Sequence, residues 1–215
     1  MRFVSREDAG RELGHHLRNS GVEVDLVVGL PRGGVVVAAE VARILQRPLG
    51  VLVVRKIGHP QHREFAVGAL AEGDVTLLDE KFAADEQFHE ALVRVIAEEK
   101  TRLREYQKKF HRDQKPDFHG KKILLVDDGL ATGATARAAA LSAKEQGARK
   151  IFLAVPVASP DALARLAALV DGATALVADP EFGAVGQYYK YFNATTDEEV
   201  LALLREADES AGRTS

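Results

Sequence analysis

The sequence predicts an α/β fold, an open and mostly parallel five-stranded sheet with helices on both faces. Three observations carry it. Short apolar runs recur between longer amphipathic or Ala-rich stretches, the alternation that builds a parallel sheet. The first such unit reads strand, helix, strand, which a right-handed crossover closes. Two glycine-containing turns, Pro31-Arg32-Gly33-Gly34 and the one starting at Gly129, each follow a strand and open a helix, where open sheets place their ligands.

Residues 6–19 form an amphipathic helix, with Leu13 and Leu17 one turn apart. Residues 25–30 read as a buried strand, 35–45 as an apolar, Ala-containing helix, and 50–54 as a second buried strand ending at Arg55 and Lys56. From 57 to 80 the pattern changes: apolar pieces at 65–70 and 75–78 flank Ala71-Glu72-Gly73-Asp74, a hairpin signal. A long charged helix from 83 to about 110–112 spaces Phe88, Leu92, Val95, Ile96, Leu103, Tyr106 and Phe110 for one face. That face packs on its own domain or, as the second choice, forms a homodimer contact. Residues 121–128 are a third strand, 132–146 a helix closed by Gly147, 151–155 a fourth strand, 160–170 a helix and 173–177 the fifth strand. A Gly- and aromatic-rich segment at 178–193 precedes a closing helix over 197–207, capped by Thr195 or Thr196. One domain over 1–207 and a disordered tail over 208–215 complete the expectation.

Composition narrows the function classes. A 46% hydrophobic and 28% charged chain is that of an ordinary globular protein, and its formal net charge of -3 lacks the basic excess of a nucleic-acid binder. With no cysteine, disulfides and thiolate metal sites are excluded. Neither a signal peptide nor a membrane span is legible, so a cytoplasmic location is the default expectation, with no membrane partner. His59 and His62 lack a nearby acidic ligand set and read as loop residues, and the adjacent His15 and His16 receive no role.

Ile123, Leu124, Leu125 and Val126 deliver the chain to a strand end, where Asp127 and Asp128 precede Gly129, Leu130, Ala131, Thr132, Gly133, Ala134 and Thr135. Free N–H groups at the start of the following helix, with the two Thr hydroxyls, make a cradle for a phosphate dianion. Two carboxylates beside an anion cradle repel the anion unless hydroxyls, donors or a metal intervene. A phosphorylated sugar satisfies both halves: phosphate for the N–H groups, vicinal hydroxyls for the acids. A receiver-type acidic pair belongs near a domain's start, and a kinase P-loop needs Gly-Lys-Ser or Gly-Lys-Thr, which is absent.

The apolar run, two acids, short spacer and Thr-Gly-Ala-Thr closely resemble the 5-phosphoribosyl-1-pyrophosphate (PRPP) motif of the type I phosphoribosyltransferases. The order of elements resembles that family over most of the chain. The resemblance implies a type I phosphoribosyltransferase-like fold with a flap at about 57–80, a helical insertion at about 83–112 and a small C-terminal hood at about 178–195. It implies transfer of the phosphoribosyl group of PRPP to a nitrogenous base with release of pyrophosphate, or, alternatively, a PRPP-binding regulatory protein that has lost the reaction. Pro31, Arg32, Gly33 and Gly34 would bind pyrophosphate, with a non-proline cis peptide near Arg32, and Arg55 and Lys56 would add positive charge. Asp127 and Asp128 would hold the ribose hydroxyls and the waters of a Mg²⁺ ion bound mostly through substrate oxygens. Ala131 stands where the family's 6-oxopurine enzymes carry an Asp, and Leu-Ala-Thr-Gly is instead similar to adenine enzymes. By that similarity Glu64 is the flap carboxylate facing the acceptor base, and Phe182 or Tyr188 the ring that stacks on it.

Overall fold

In a computed structural model, residues 3–83, 88–111 and 115–212 are described. Helix α1 (Arg6–Asn19) is capped by Ser5, whose hydroxyl accepts from the Asp8 amide at 3.3 Å. It lies on α2 (Gly33–Leu45), which connects β1 (Leu26–Gly29) to β2 (Leu49–Val51). The remaining sheet strands are β6 (Lys122–Val126), β7 (Lys150–Ala158) and β8 (Gly172–Ala178). Their order is β2-β1-β6-β7-β8, every neighbouring pair parallel. β1 lies second in the sheet, between β2 and β6: the chain leaves it toward β2 and returns on its other side as β6. The carboxyl ends of β1 and β6 therefore open a crevice where the winding reverses.

Strand β6 shows why the sequence chose this arrangement. Ile123, Leu124, Leu125 and Val126 are all fully buried, and successive side chains face opposite ways. Ile123 and Leu125 pack with the alanines of α5 (Ala134–Glu145), while Leu124 and Val126 pack with Leu13, Val37 and Val41 of α1 and α2. A strand covered on both faces has no polar side, hence the unbroken apolar run.

Two expectations are corrected. The strand expected at 50–54 divides: β2 ends at Val51, and β3 (Val54–Gly58) belongs to a separate three-stranded antiparallel sheet, β3-β4-β5, with β4 at Ala66–Ala71 and β5 at Val75–Leu78. The break is built by buried Glu72, whose carboxylate accepts from the Val53 amide at 2.7 Å in place of a sheet neighbour. Arg55 and Lys56 consequently lie within a strand instead of beyond one. The second concerns the tail expected at 208–215: α7 (Asp197–Gly212) continues helical past residue 207, and residues 213–215 lie outside the described residues. Its cap is Thr196, whose hydroxyl accepts from the Glu199 amide at 3.1 Å while the Glu199 carboxylate accepts from the Thr196 amide at 2.6 Å.

Within the expected flap, β4 is almost wholly buried, and Ala69, Ala71 and Val75 pack on the small residues of α5. Residues 61–65 between β3 and β4 stay exposed. The short helix α3 (Glu80–Ala83) follows β5. Helix α4 (His89–His111) then turns Leu92, Val95, Leu103 and Phe110 onto Val51, Val53, Ile57, Val67 and Leu70, so the inserted helix packs on its own domain. α6 (Pro160–Ala167) covers the β7–β8 side, its cap Ser159 accepting from the Ala162 amide at 3.2 Å.

Candidate active site

The crevice at the ends of β1 and β6 is a cleft of about 770 Å³, floored by residues 30–33 and 127–133 together with Thr135, and walled by residues 53–56 and α4. Most of the predicted donor-site residues thus meet in one place. Among the described residues, Gly34 and Ala134 sit just behind this surface, at the starts of α2 and α5.

The loop after β6 is pinned from β7. The Leu130 amide donates to the Val157 carbonyl at 2.8 Å and the Ser159 amide to the Leu130 carbonyl at 2.9 Å. Ser159 also donates its hydroxyl to the Ala131 carbonyl at 3.0 Å. With its spacer fixed from behind, the loop turns at Gly133, whose φ of 78° falls in the left-handed region that glycine tolerates. α5 then starts with its first amides directed toward the cleft end of the helix, unused by helical bonding and favourable to an anion. Thr132 supports this turn, accepting from the Ala134 amide at 3.4 Å.

Asp127 and Asp128 lie between that anion cradle and the turn after β1. Asp127 accepts from the Asp128 amide at 2.9 Å. Burial pushes the Asp127 carboxyl well above the usual range, and the neighbouring Asp128 charge adds to the effect, against relief from Lys56 and Arg6. Asp128 is also raised by burial, less so because Arg6 faces it. Arg6, in the first turn of α1, donates from Nε to Asp128 at 2.7 Å and from its other end to the Asn193 carbonyl at 2.7 Å. Its guanidinium lies 3.8 Å from the Phe192 ring centre. Tyr189 donates its hydroxyl to the Asp128 carbonyl at 2.6 Å.

On the β1 side the Pro31–Arg32 peptide is cis, at the expected place. Gly33 is required there by close approach: a Cβ on it would overlap the Asp128 carboxylate. The Arg32 side chain reaches the cleft while pairing at 3.5 Å with Asp197, the first residue of α7, which Lys109 also grips at 2.6 Å. Arg55 is held by Glu99 of α4, with Nε at 2.9 Å and a terminal nitrogen at 2.7 Å from one carboxylate oxygen. The other oxygen accepts from Arg102 at 2.6 Å.

The predicted acceptor residues are not brought into this cleft. Glu64 is exposed in the turn between β3 and β4, where Arg63 is the residue that lines the cleft. Phe182 and Tyr188 stack on each other with ring centres 5.4 Å apart, and the Tyr188 hydroxyl is taken by Asp179 at 2.6 Å. From the hood only Val185 reaches the wall, packed over Gly129. Arg6, Glu99 and Arg102 are the residues that sequence reasoning missed. Each works through a partner far along the chain or through a helix face that reads as solvated, so no local pattern marks it.

His59 is buried among Phe65, Phe82 and Phe88, and no group of three or more acidic, His or Cys side chains suited to a metal occurs among the described residues. No described helix is long and apolar enough to cross a membrane.

Residues 5–186 match the family model of the phosphoribosyl transferase domain. The chain is 42% identical over 210 residues to a Mycobacterium tuberculosis protein that bears a phosphoribosyl transferase name, covering 95% of this chain and 47% of that protein, so it spans about half the length of the curated relative. The crystal structure of TT1426 from Thermus thermophilus superposes with a TM-score of 0.79 at 43% identity, over 96% of this chain and 99% of that one. A switch-point cleft between two glycine-containing turns, a match that runs through both turns, and relatives at this identity lead to one conclusion: the chain belongs to the phosphoribosyl transferase domain family.

Proposed function

We propose that the protein binds PRPP in this cleft and, with Mg²⁺, transfers its 5-phosphoribosyl group to a nitrogenous base, releasing pyrophosphate. The observation that carries the proposal is the placement of Asp127 and Asp128 between two turns built for anions, the start of α5 and the loop at Pro31, Arg32, Gly33 and Gly34. One ligand with phosphate at one end, pyrophosphate at the other and hydroxyls between them suits that order of groups.

In the reaction, a base nitrogen forms a bond to the anomeric carbon as the bond to pyrophosphate breaks, the electron pair leaving on the pyrophosphate oxygen. The 5-phosphate takes the Thr132 and Thr135 hydroxyls and the amides of residues 129–135 other than that of Leu130, which the Val157 carbonyl holds. Asp127 and Asp128 hold the ribose hydroxyls and orient the ring. Arg32, Arg55 and Lys56 meet the leaving pyrophosphate, where charge develops. The donor set fits Mg²⁺ only as an ion shared with substrate: two adjacent carboxylates, no third protein ligand among the described residues, and an ion that keeps waters and prefers phosphate oxygens. When bound, it supplies charge neutralisation at pyrophosphate and ribose oxygens.

Ala131 leaves no carboxylate at that loop position to read a 6-oxopurine, so the acceptor belongs to another class of nitrogenous base. Glu64 reaches it only if the exposed 61–65 turn moves inward, and Phe182 or Tyr188 only if their mutual stack opens.

Two measurements test the reading. Asp128→Asn combined with Thr135→Ala weakens PRPP binding by calorimetry about a hundredfold, since a charged and a neutral contact are lost together; unchanged affinity removes the basis of the proposal. Pyrophosphate release from PRPP, assayed with Mg²⁺ over a panel of purines, pyrimidines and heterocyclic amines, identifies the acceptor. Tight PRPP binding with no release on any of them assigns the cleft to a regulatory PRPP binder instead.

A further inference from the structure

We propose that Glu99, from the inserted helix α4, is a positioning residue for the leaving group: it holds Arg55 and Arg102 side by side as a pyrophosphate-facing wall of the cleft. The inference rests on the PRPP reading above and adds α4 to the machinery. Glu99 is 6% exposed, on the buried side of an otherwise charged helix. A carboxylate in that position is costly unless both oxygens are paired, and both are: one takes Nε and a terminal nitrogen of Arg55, the other a terminal nitrogen of Arg102. All three residues line the same cleft as the two anion turns.

The arrangement solves an electrostatic problem. Two guanidinium groups placed together for one anion repel each other in the empty site, and long side chains lose much rotamer entropy when an anion must gather them. A buried carboxylate bridging them removes both penalties. It leaves the trio with one net positive charge and with unused N–H groups on each arginine. Tyr106, one turn beyond Arg102, adds its ring 5.3 Å from the Arg55 guanidinium and restricts it further. The adjacent Glu98 offers the contrast: it pairs with Arg63 at 3.1 Å with both side chains about half exposed, a surface contact of little consequence.

The test uses Glu99→Gln, which keeps the shape and removes the charge, and Arg102→Ala. Calorimetry is run with three probes, inorganic pyrophosphate with Mg²⁺, PRPP with Mg²⁺, and ribose 5-phosphate, whose phosphate lies on the other turn. Both variants are expected to weaken pyrophosphate and PRPP by about tenfold or more, the equivalent of one charge-assisted hydrogen bond, and to leave ribose 5-phosphate unchanged. Equal weakening of all three probes makes Glu99 a merely structural tie between α4 and β3 and overturns the proposal. Pyrophosphate affinity that is unchanged or tighter in Glu99→Gln also overturns it, because the carboxylate would then be opposing the anion. Wild-type protein that binds none of the probes defeats the PRPP reading itself, a result distinguishable from the variant outcomes.

Discussion

At the scale of single residues, the acidic pair sets function against stability. Asp127 carries a carboxyl pushed well above the usual range by burial and by its neighbour's charge. A group whose folded pKa is raised contributes stability that is fully present below its unfolded value, about 3.9 for Asp, and lost as pH rises through the folded value. Asp128 adds a smaller contribution of the same sign. The ligand-free protein should therefore lose stability as pH rises from the ordinary Asp value toward neutrality. Asp127→Asn keeps the acceptor for the Asp128 amide and removes most of that loss. Thermal melts across the acid-to-neutral range should show the variant melting above wild type at neutral pH, with the gap closing in acid, while PRPP binding weakens. A variant that melts lower at neutral pH contradicts the argument. The pair itself was legible in the sequence because its whole context is local, a strand, two acids and a turn. Arg6 was not, since it meets Asp128 across a separation of 122 positions and reads alone as a first-turn surface arginine.

Elements were legible where one period dominates. The run of β6 and the Ala-rich α5 announce themselves because both are buried against small or apolar partners along their length. The end of β2 was not, because its cause is the Glu72 carboxylate at the Val53 amide, and Glu72 reads locally as a polar turn residue of the β4–β5 hairpin. The α7 cap was narrowed to two threonines, and geometry selects Thr196 through its reciprocal bonds with Glu199. Thr196→Ala should cost about 1 kcal/mol, read as a lower urea midpoint at unchanged slope. Thr195→Ala should leave the cap intact. Because Asp197 at the head of α7 pairs with both Arg32 and Lys109, a frayed first turn also loosens Arg32, which is proposed to meet pyrophosphate. The same variant should thus weaken pyrophosphate modestly and leave ribose 5-phosphate unaffected.

Across the whole molecule, two segments far apart in sequence bracket the loop that holds Asp128. Phe3 and Val4 run beside residues 188–191, with bonds from the Phe3 amide to the Tyr188 carbonyl at 2.7 Å, from Lys190 to Phe3 at 2.8 Å and from Tyr191 to Val4 at 3.0 Å. From this paired unit Arg6 reaches the Asp128 carboxylate and Tyr189 reaches the Asp128 carbonyl. Local opening of the unit must release those bonds, so opening of the outer ladder and disorder at Asp128 share one equilibrium. A ligand that binds only the ordered Asp128 suppresses the opening by mass action. Hydrogen exchange should then show the Lys190 and Tyr191 amides slowing when PRPP is added, although no ligand atom is proposed to touch them. In Arg6→Ala the slowing at these two amides should shrink, while the amides at the start of α5, proposed to meet the 5-phosphate directly, should remain protected at saturating PRPP. Exchange at Lys190 and Tyr191 that is indifferent to PRPP in the wild-type protein would mean that the outer ladder opens independently of the site, and that Arg6 acts on Asp128 by charge alone.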